Sequence, residues 1–214
     1  MFDLHTHTFW SDGVLAPAEM ARRCQAAGYE GLVIADHCDH SNVGRVVPAM
    51  VEFCEASNGY YAEMQLVPGC EVTHVPPPLI HGLVVMAREL GAEVVLVHGE
   101  TIVEPVAPGT NRAAIEADCD VLAHPGLIGP EGVALAAEHG VLLEISGRKG
   151  HSLTNGRVAR LAREHGARLS FGSDGHAPGD YPTPEFARTV LRGAGLTHEE
   201  VAQVFENNAG FFTG

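Results

Sequence analysis

Apolar and polar positions repeat one pattern along the chain: a helix-length stretch, a glycine, a short aliphatic run, then a polar cluster. It is plainest at Glu89-Leu90-Gly91, Glu138-His139-Gly140 and Glu164-His165-Gly166, each followed by β-branched or aliphatic residues. The aliphatic runs predict seven strands, at about 2–8, 31–35, 66–71, 93–97, 120–123, 141–145 and 168–171. Pro68 makes the third less regular. The stretches between them predict helices. One follows Pro17 and ends at Gly28, and others cover about 46–57, 79–90, 111–117 and 130–138. Thr154 and Gly166 bracket the helix at 155–164. Thr183-Pro184 opens another. Thr197-His198-Glu199-Glu200 has capping-box spacing and opens the last, to about Asn207.

Seven strands in 214 residues give roughly 30 residues per unit, the size of a βα repeat. Strands alternating with helices imply a parallel sheet with both faces covered. Such sheets place sites at the carboxyl ends of their strands, whether open or closed. Here nearly every strand ends in His, Asp or Glu. An open sheet would spread those ends along a line, whereas a barrel turns them toward one mouth. The expected fold is therefore α/β, a (β/α)7 TIM-like barrel in a single domain spanning 1–214.

The polar clusters carry the chemistry. Side chains alternate along a strand, so His5 and His7 share a face and can hold one cation between them, with Asp12 returning from the following turn. His37, Glu71, His98, His124, Asp174 and His176 close later strands in the same way. Buried at one rim without compensation, this many imidazoles and carboxylates would be strongly destabilising. Metal ions are the natural compensation, and donors that are all N or O suit Zn, Mn or Fe.

Composition narrows the classes. A formal net charge of −14 and the absence of a basic run argue against nucleic acid, whose binding needs cationic neutralisation of phosphate. No apolar run approaches a membrane span. Five cysteines without a Cys-x-x-Cys pair read as reduced thiols in a cytoplasm. Of these, Cys70 is turned away from Glu71 by strand alternation and, like Cys38, reads as inert core. Glu100, His40, His74 and His151 read as surface loop residues, with the alternative that they support the ligands or touch substrate.

The motifs Asp3-Leu4-His5-Thr6-His7 with Ser11-Asp12-Gly13, Ala35-Asp36-His37, Pro68-Gly69-Cys70-Glu71, Val97-His98-Gly99-Glu100, Ala123-His124-Pro125 and Gly172-Ser173-Asp174-Gly175-His176, in that order, resemble the PHP (polymerase and histidinol phosphatase) family over essentially the whole chain. The resemblance implies a distorted (β/α)7 barrel with three divalent transition-metal ions. By matching position, His5, His7, Glu71 and Asp174 would hold one ion. Glu71 would bridge to a second held with His98 and His124, and Asp12, His37 and His176 would hold the third. The sixth strand end departs from the pattern and reads Glu144-Ile145-Ser146-Gly147-Arg148-Lys149. Arg148 and Lys149 follow a strand on the ligand-bearing rim and are the candidate anion-binding pair.

The expected activity is hydrolysis of a small phosphate monoester by a metal-activated water, with Glu71, Asp174 and Arg148 at the reacting centre. By resemblance, histidinol phosphate is the leading substrate. The alternatives are a nuclease or phosphodiesterase acting on nucleic-acid ends, which the charge disfavours, and a non-catalytic metal-binding module, which the complete ligand set disfavours. With few long insertions to wall off the mouth, a second copy of the chain is a candidate partner.

Overall fold

The computed structural model describes residues 1–61 and 64–212. It is a nearly closed parallel barrel with helices alternating around it. In chain order the elements are β1 (Phe2–Asp3), α1 (Pro17–Ala26), β2 (Gly31–Ile34), β3 (His37–Cys38), α2 (Val43–Ser57), β4 (Gln65–Val72), α3 (Pro77–Glu89) and β5 (Val94–His98). They continue with α4 (Thr110–Glu116), β6 (Val121–Ala123), α5 (Pro130–His139), β7 (Leu142–Ser146), a 3₁₀ turn (His151–Thr154), α6 (Asn155–His165), β8 (Leu169–Gly172), α7 (Pro184–Gly193) and α8 (His198–Ala209). The strands lie in the order β1-β2-β4-β5-β6-β7-β8, all parallel, with β3 also on β4.

Segments β2 and β3 are one strand interrupted. Ile34 pairs with Pro68 and His37 with Glu71, so the register is unchanged across the gap. Pro68 itself still pairs with Ile34, and its backbone faces β5, where its carbonyl accepts from Glu93 N at 2.9 Å. The architecture is thus the expected seven-stranded one. The first strand, expected over 2–8, is a ladder only at Phe2–Asp3. Beyond that it closes the barrel piecemeal against the end of β8. Asp174 N donates to His5 O at 2.8 Å, His7 N donates to Gly175 O at 2.9 Å, and Thr6 bridges to Gly175. Lower down, Asn208 of α8 fills the seam. Its Nδ2 donates to Phe2 O (2.9 Å) and Phe171 O (2.8 Å), and its Oδ1 accepts from Phe171 N (3.2 Å).

Two apolar cores follow from strand alternation. Cys70, Val95, Val97, Leu143 and Ile145 face the helices, so Cys70 does point away from Glu71. Leu4, Val33, Val67, Leu96, Val121 and Leu142 fill the barrel interior, which Phe2, Phe211 and Phe212 plug from below. The same two-residue step continues upward along β4, β5 and β7 to Glu71, His98 and Glu144. The apolar floor and the polar mouth are successive layers of one interior. At the helix ends, Thr197 forms the expected capping box with Glu200, and Gly140 and Gly166 close α5 and α6 in the left-handed conformation. Among the described residues, no helix is long and apolar enough to cross a membrane.

Candidate metal centre

The barrel mouth is a cavity of about 230 Å³ whose walls include Asp12, His37, His98, His124, Asp174 and His176. His5, His7 and Glu71 form its buried floor, each fully shielded from solvent. Two of the nine residues stand on left-handed backbone just past a strand end, His124 at φ 26° and Asp174 at φ 52°. That strain turns their side chains back over the barrel axis.

Among the groups of converging donor atoms are His5, His7 and Glu71; Glu71, His98 and His124; and His7, Asp12, His37 and His176. Asp174 joins the first, with Oδ1 3.4 Å from His7 Nε2 and 3.9 Å from His5 Nε2. The resemblance-based grouping differs in one respect, since His7 here also adjoins Asp12, His37 and His176. Glu71 lies at their junction. Its Oε1 is 3.5 Å from His5 Nε2 and 3.6 Å from His124 Nε2, while its Oε2 is 2.6 Å from His37 Nδ1.

The residues fit cations on two grounds. Ligands each about 2.1 Å from a tetrahedral ion lie about 3.4 Å apart. His5–Glu71, His124–Glu71, His7–Asp174 and His37–Asp12 stand at 3.5, 3.6, 3.4 and 3.4 Å. Moreover, His5 Nε2, both ring nitrogens of His7 and Glu71 Oε1 are buried and make no hydrogen bond. Buried polar atoms are almost always satisfied, so orphaned donors gathered on one buried floor fit a bound cation.

Electrostatics of the chain alone agree. Burial opposes charge on His5, but Glu144, Glu71 and Asp174 outweigh it and hold its pKa well above the ordinary value. Burial and then His37 push His7 down to about 3. Burial would raise Glu71, yet His5, His37 and His98 keep it well below the usual carboxylate range. The carboxylates thus favour their ionised form, while the imidazoles are driven in opposite directions, His5 up and His7 down.

Residues the sequence reading passed over complete the site. Glu144, at the strand end that departed from the pattern, is 1% exposed. It accepts from His5 Nδ1 at 2.7 Å and from His124 N at 2.9 Å. The first bond puts the His5 proton on Nδ1 and leaves Nε2 free. Asp36 accepts from Thr8 N (2.8 Å), Thr8 Oγ1 (2.7 Å) and Ser11 Oγ (2.7 Å), which folds the turn carrying Asp12 over the mouth. Gly13 is needed in that turn, because a Cβ there would lie 2.4 Å from His7 O.

His151 overturns its expectation as a surface loop residue. The 3₁₀ turn folds it inward to 4% exposure, stacked on His124 with ring centroids 4.0 Å apart. Glu104, unremarked in the sequence, reaches the same mouth, its Oε2 3.0 Å from His98 Nε2. Glu100 instead stays structural, accepting from Gly109 N and Asn111 N at the start of α4. His40 is exposed as expected.

The anion-binding pair divides. Arg148 lines the mouth and its Nη1 donates to Asp174 O at 3.0 Å, with His176 Nδ1 2.8 Å away. Lys149 is exposed and lines a neighbouring cavity of about 500 Å³, which Arg148 also borders, rather than the mouth.

A parallel barrel whose strand ends converge on buried imidazoles and carboxylates defines a class of metal-dependent hydrolase folds. Within it the chain belongs to the PHP domain family, which residues 3–145 match. An uncharacterized protein of Methanocaldococcus jannaschii is 44% identical over 94% of this chain and 92% of its own length. Ribonuclease P protein component 3 of Methanosarcina mazei is 27% identical over 88% of this chain and 79% of its own. Among solved structures, a chain of an archaeal ribonuclease P with mature tRNA superposes with a TM-score of 0.73 at 15% identity, covering 97% of this chain and 89% of that one. A histidinol phosphate phosphatase of Lactococcus lactis, complexed with zinc, L-histidinol and phosphate, superposes with a TM-score of 0.65 at 15% identity, covering 91% and 94%. The fold is that of the PHP-domain metal-dependent phosphoesterases.

Proposed function

We propose that the protein hydrolyses a small phosphate monoester at a cluster of three divalent cations, Zn, Mn or Fe, with histidinol phosphate the leading candidate substrate. The observation that carries this reading is the convergence of unpartnered buried donors at ligand-to-ligand spacings. Cations there would acidify a coordinated water into the neutral range and offset charge on the phosphoryl group.

The chain's own residues supply holding and aim. His5, His7, Glu71 and Asp174 would hold one cation, Glu71, His98 and His124 the second, and Asp12, His37 and His176 the third, with Glu71 bridging the first two. Glu144 fixes the His5 tautomer and anchors the backbone of His124. Arg148 has Nη1 tied to Asp174 O and Nε 3.7 Å from Asp174 Oδ2, which steadies the guanidinium at the mouth, where Nη2 would meet a phosphate oxygen. Lys149 would add positive charge from the neighbouring cavity.

The test is turnover of histidinol phosphate and of a chromogenic monoester by chelator-stripped protein with and without added Zn²⁺ or Mn²⁺. Cation-dependent phosphate release supports the reading, and inertness toward every monoester on the fully loaded protein would defeat it. A second reading, association with an RNA-containing assembly, is favoured by the similarity to a ribonuclease P component and opposed by the net charge of −14. Binding and cleavage of labelled RNA and DNA oligonucleotides separate the two.

A further inference from the structure

We propose that the cavity of about 500 Å³ beside the mouth receives the alcohol part of the phosphate monoester, and that Phe186 selects alcohols carrying a planar ring. This rests on the phosphoesterase reading above and adds the class of alcohol released.

The mouth, at about 230 Å³, is smaller than the roughly 300–1,000 Å³ of ligand-binding cavities, whereas its neighbour lies within that range. A phosphate group seated over the cation ligands leaves little room there for the rest of a monoester. Arg148 borders both cavities, so a phosphate oxygen on its guanidinium stands at the passage between them. On the β5 side the mouth is walled instead by Glu104 and His151, with His151 Nδ1 held 2.7 Å from Thr101 Oγ1 and its Nε2 3.4 Å from Glu104 Oε1.

The walls of the neighbouring cavity are fixed before anything binds. Asp180 Oδ2 accepts from His176 N at 3.1 Å and from Ala177 N at 2.9 Å. Pro182 O accepts from the hydroxyl of buried Tyr29 at 2.9 Å. The segment between β8 and α7 is thus held at both ends. Asp180 Oδ2 also stands 3.9 Å from Arg148 Nη1, so its charge is spent within the wall. The α7 side is apolar. Ala187 and Leu191 of that helix are buried in the core, whereas Phe186 and Val190, also four residues apart, line the cavity. The helix therefore carries a second apolar stripe outside the core, and Phe186 on it stays 58% exposed.

An aromatic face held out to a cavity, beside an arginine aimed at phosphate, fits a flat group stacked on it. Gly179 keeps the space open, since a Cβ there would meet no atom within 4 Å. In the rival arrangement Phe186 is an ordinary exposed residue of α7, and the alcohol projects into solvent.

Calorimetry on the Mn²⁺-loaded full chain with benzylphosphonate and ethylphosphonate, neither of which can be hydrolysed, distinguishes the two. The wild type should bind benzylphosphonate about 2- to 10-fold more tightly, the worth of one aromatic pair. Cyclohexylmethylphosphonate, similar in size but puckered, should bind more weakly than benzylphosphonate, and the reverse order would overturn the planar-ring assignment. Phe186→Ala should bring the benzyl-to-ethyl Kd ratio close to one. Gly179→Leu, which fills the open space without displacing a neighbour, should lower the ratio at least as far. Both should keep the wild-type metal content and melting temperature. Val85→Ala, which trims an exposed residue of α3, should leave the ratio unchanged. Equal Kd values in the wild type would overturn the slot, as would a ratio untouched by both Phe186→Ala and Gly179→Leu, or one lowered equally by Val85→Ala. If the ratios behave as expected but the wild type releases phosphate from neither benzyl phosphate nor ethyl phosphate, the slot stands and the phosphoesterase reading fails.

Discussion

Glu144→Gln replaces a carboxylate that is not among the nine candidate ligands, yet it should loosen the whole centre. Both oxygens of Glu144 are used, one accepting from His5 Nδ1 and the other from the backbone N–H of His124. Glutamine has a single amide oxygen. Turned toward His5, it leaves an NH₂ against the His124 N–H; turned toward His124, it puts that NH₂ against the His5 Nδ1–H. Either way one buried donor is stranded, at a cost of about 1–3 kcal/mol. Loss of the charge also makes the His5 imidazole less basic as a ligand, worth about 10- to 100-fold in cation affinity, or about 1.4–2.7 kcal/mol. The expected outcome is a lower melting temperature without metal, and a Zn²⁺ affinity lowered about 10- to 100-fold by competition with a chromogenic chelator. Gly172→Ala should also lower the affinity, because a Cβ there would lie 2.1 Å from Glu144 Oε1 and 2.6 Å from the Cβ of His5, displacing both members of the pair. Wild-type affinity in both variants would refute the positioning role of Glu144.

Glu71→Gln should remove cations from two neighbouring groups, whereas His176→Ala should remove one, read as metal per chain by elemental analysis. Arg148→Ala should reduce phosphate-ester kcat/KM by about 10- to 1000-fold, roughly 1.4–4 kcal/mol, with metal content unchanged. Lys149→Ala should do less, and steady-state kinetics on both variants decides. Asn208→Ala breaks three hydrogen bonds across the seam between β1 and β8 and should cost about 2–4 kcal/mol in denaturant melts, with a value near zero excluding that seam as a closure point. The carboxylates around His5 raise its pKa, so a cation competes with a proton there and affinity should rise with pH. Calorimetry in two buffers of different ionisation enthalpy reads that proton release directly, and a pH-independent affinity would contradict it.

Much of this was legible in the sequence because two signals coincide. The helix–glycine–strand rhythm marks the repeat, and a polar residue after each apolar run marks the rim. What escaped the reading lies where neither signal operates. Glu144 is not past the end of its strand but within it, where an acidic residue among Leu142, Leu143 and Ile145 shows its facing only through alternation. Glu104 and His151 sit in loops, and loop path is set by distant contacts such as Thr101 to His151 rather than by local periodicity. Arg148 and Lys149 follow the same strand on the rim, but adjacent residues seldom aim at one point, and Lys149 borders the neighbouring cavity. The first strand looked long because His5, Thr6 and His7 are extended, although they bond to the turn after β8 rather than to a strand ladder.

The central claim is that the nine converging donors hold cations across Glu71. The most direct measurement is anomalous diffraction at the metal absorption edge, on crystals of protein purified without chelator, with elemental analysis of the same preparation. Two to three transition-metal peaks are expected, one in contact with His5, His7 and Asp174 and a second with His98 and His124, Glu71 bridging the two. No anomalous peak at the barrel mouth, together with no uptake on soaking in Zn²⁺ or Mn²⁺, would contradict the account.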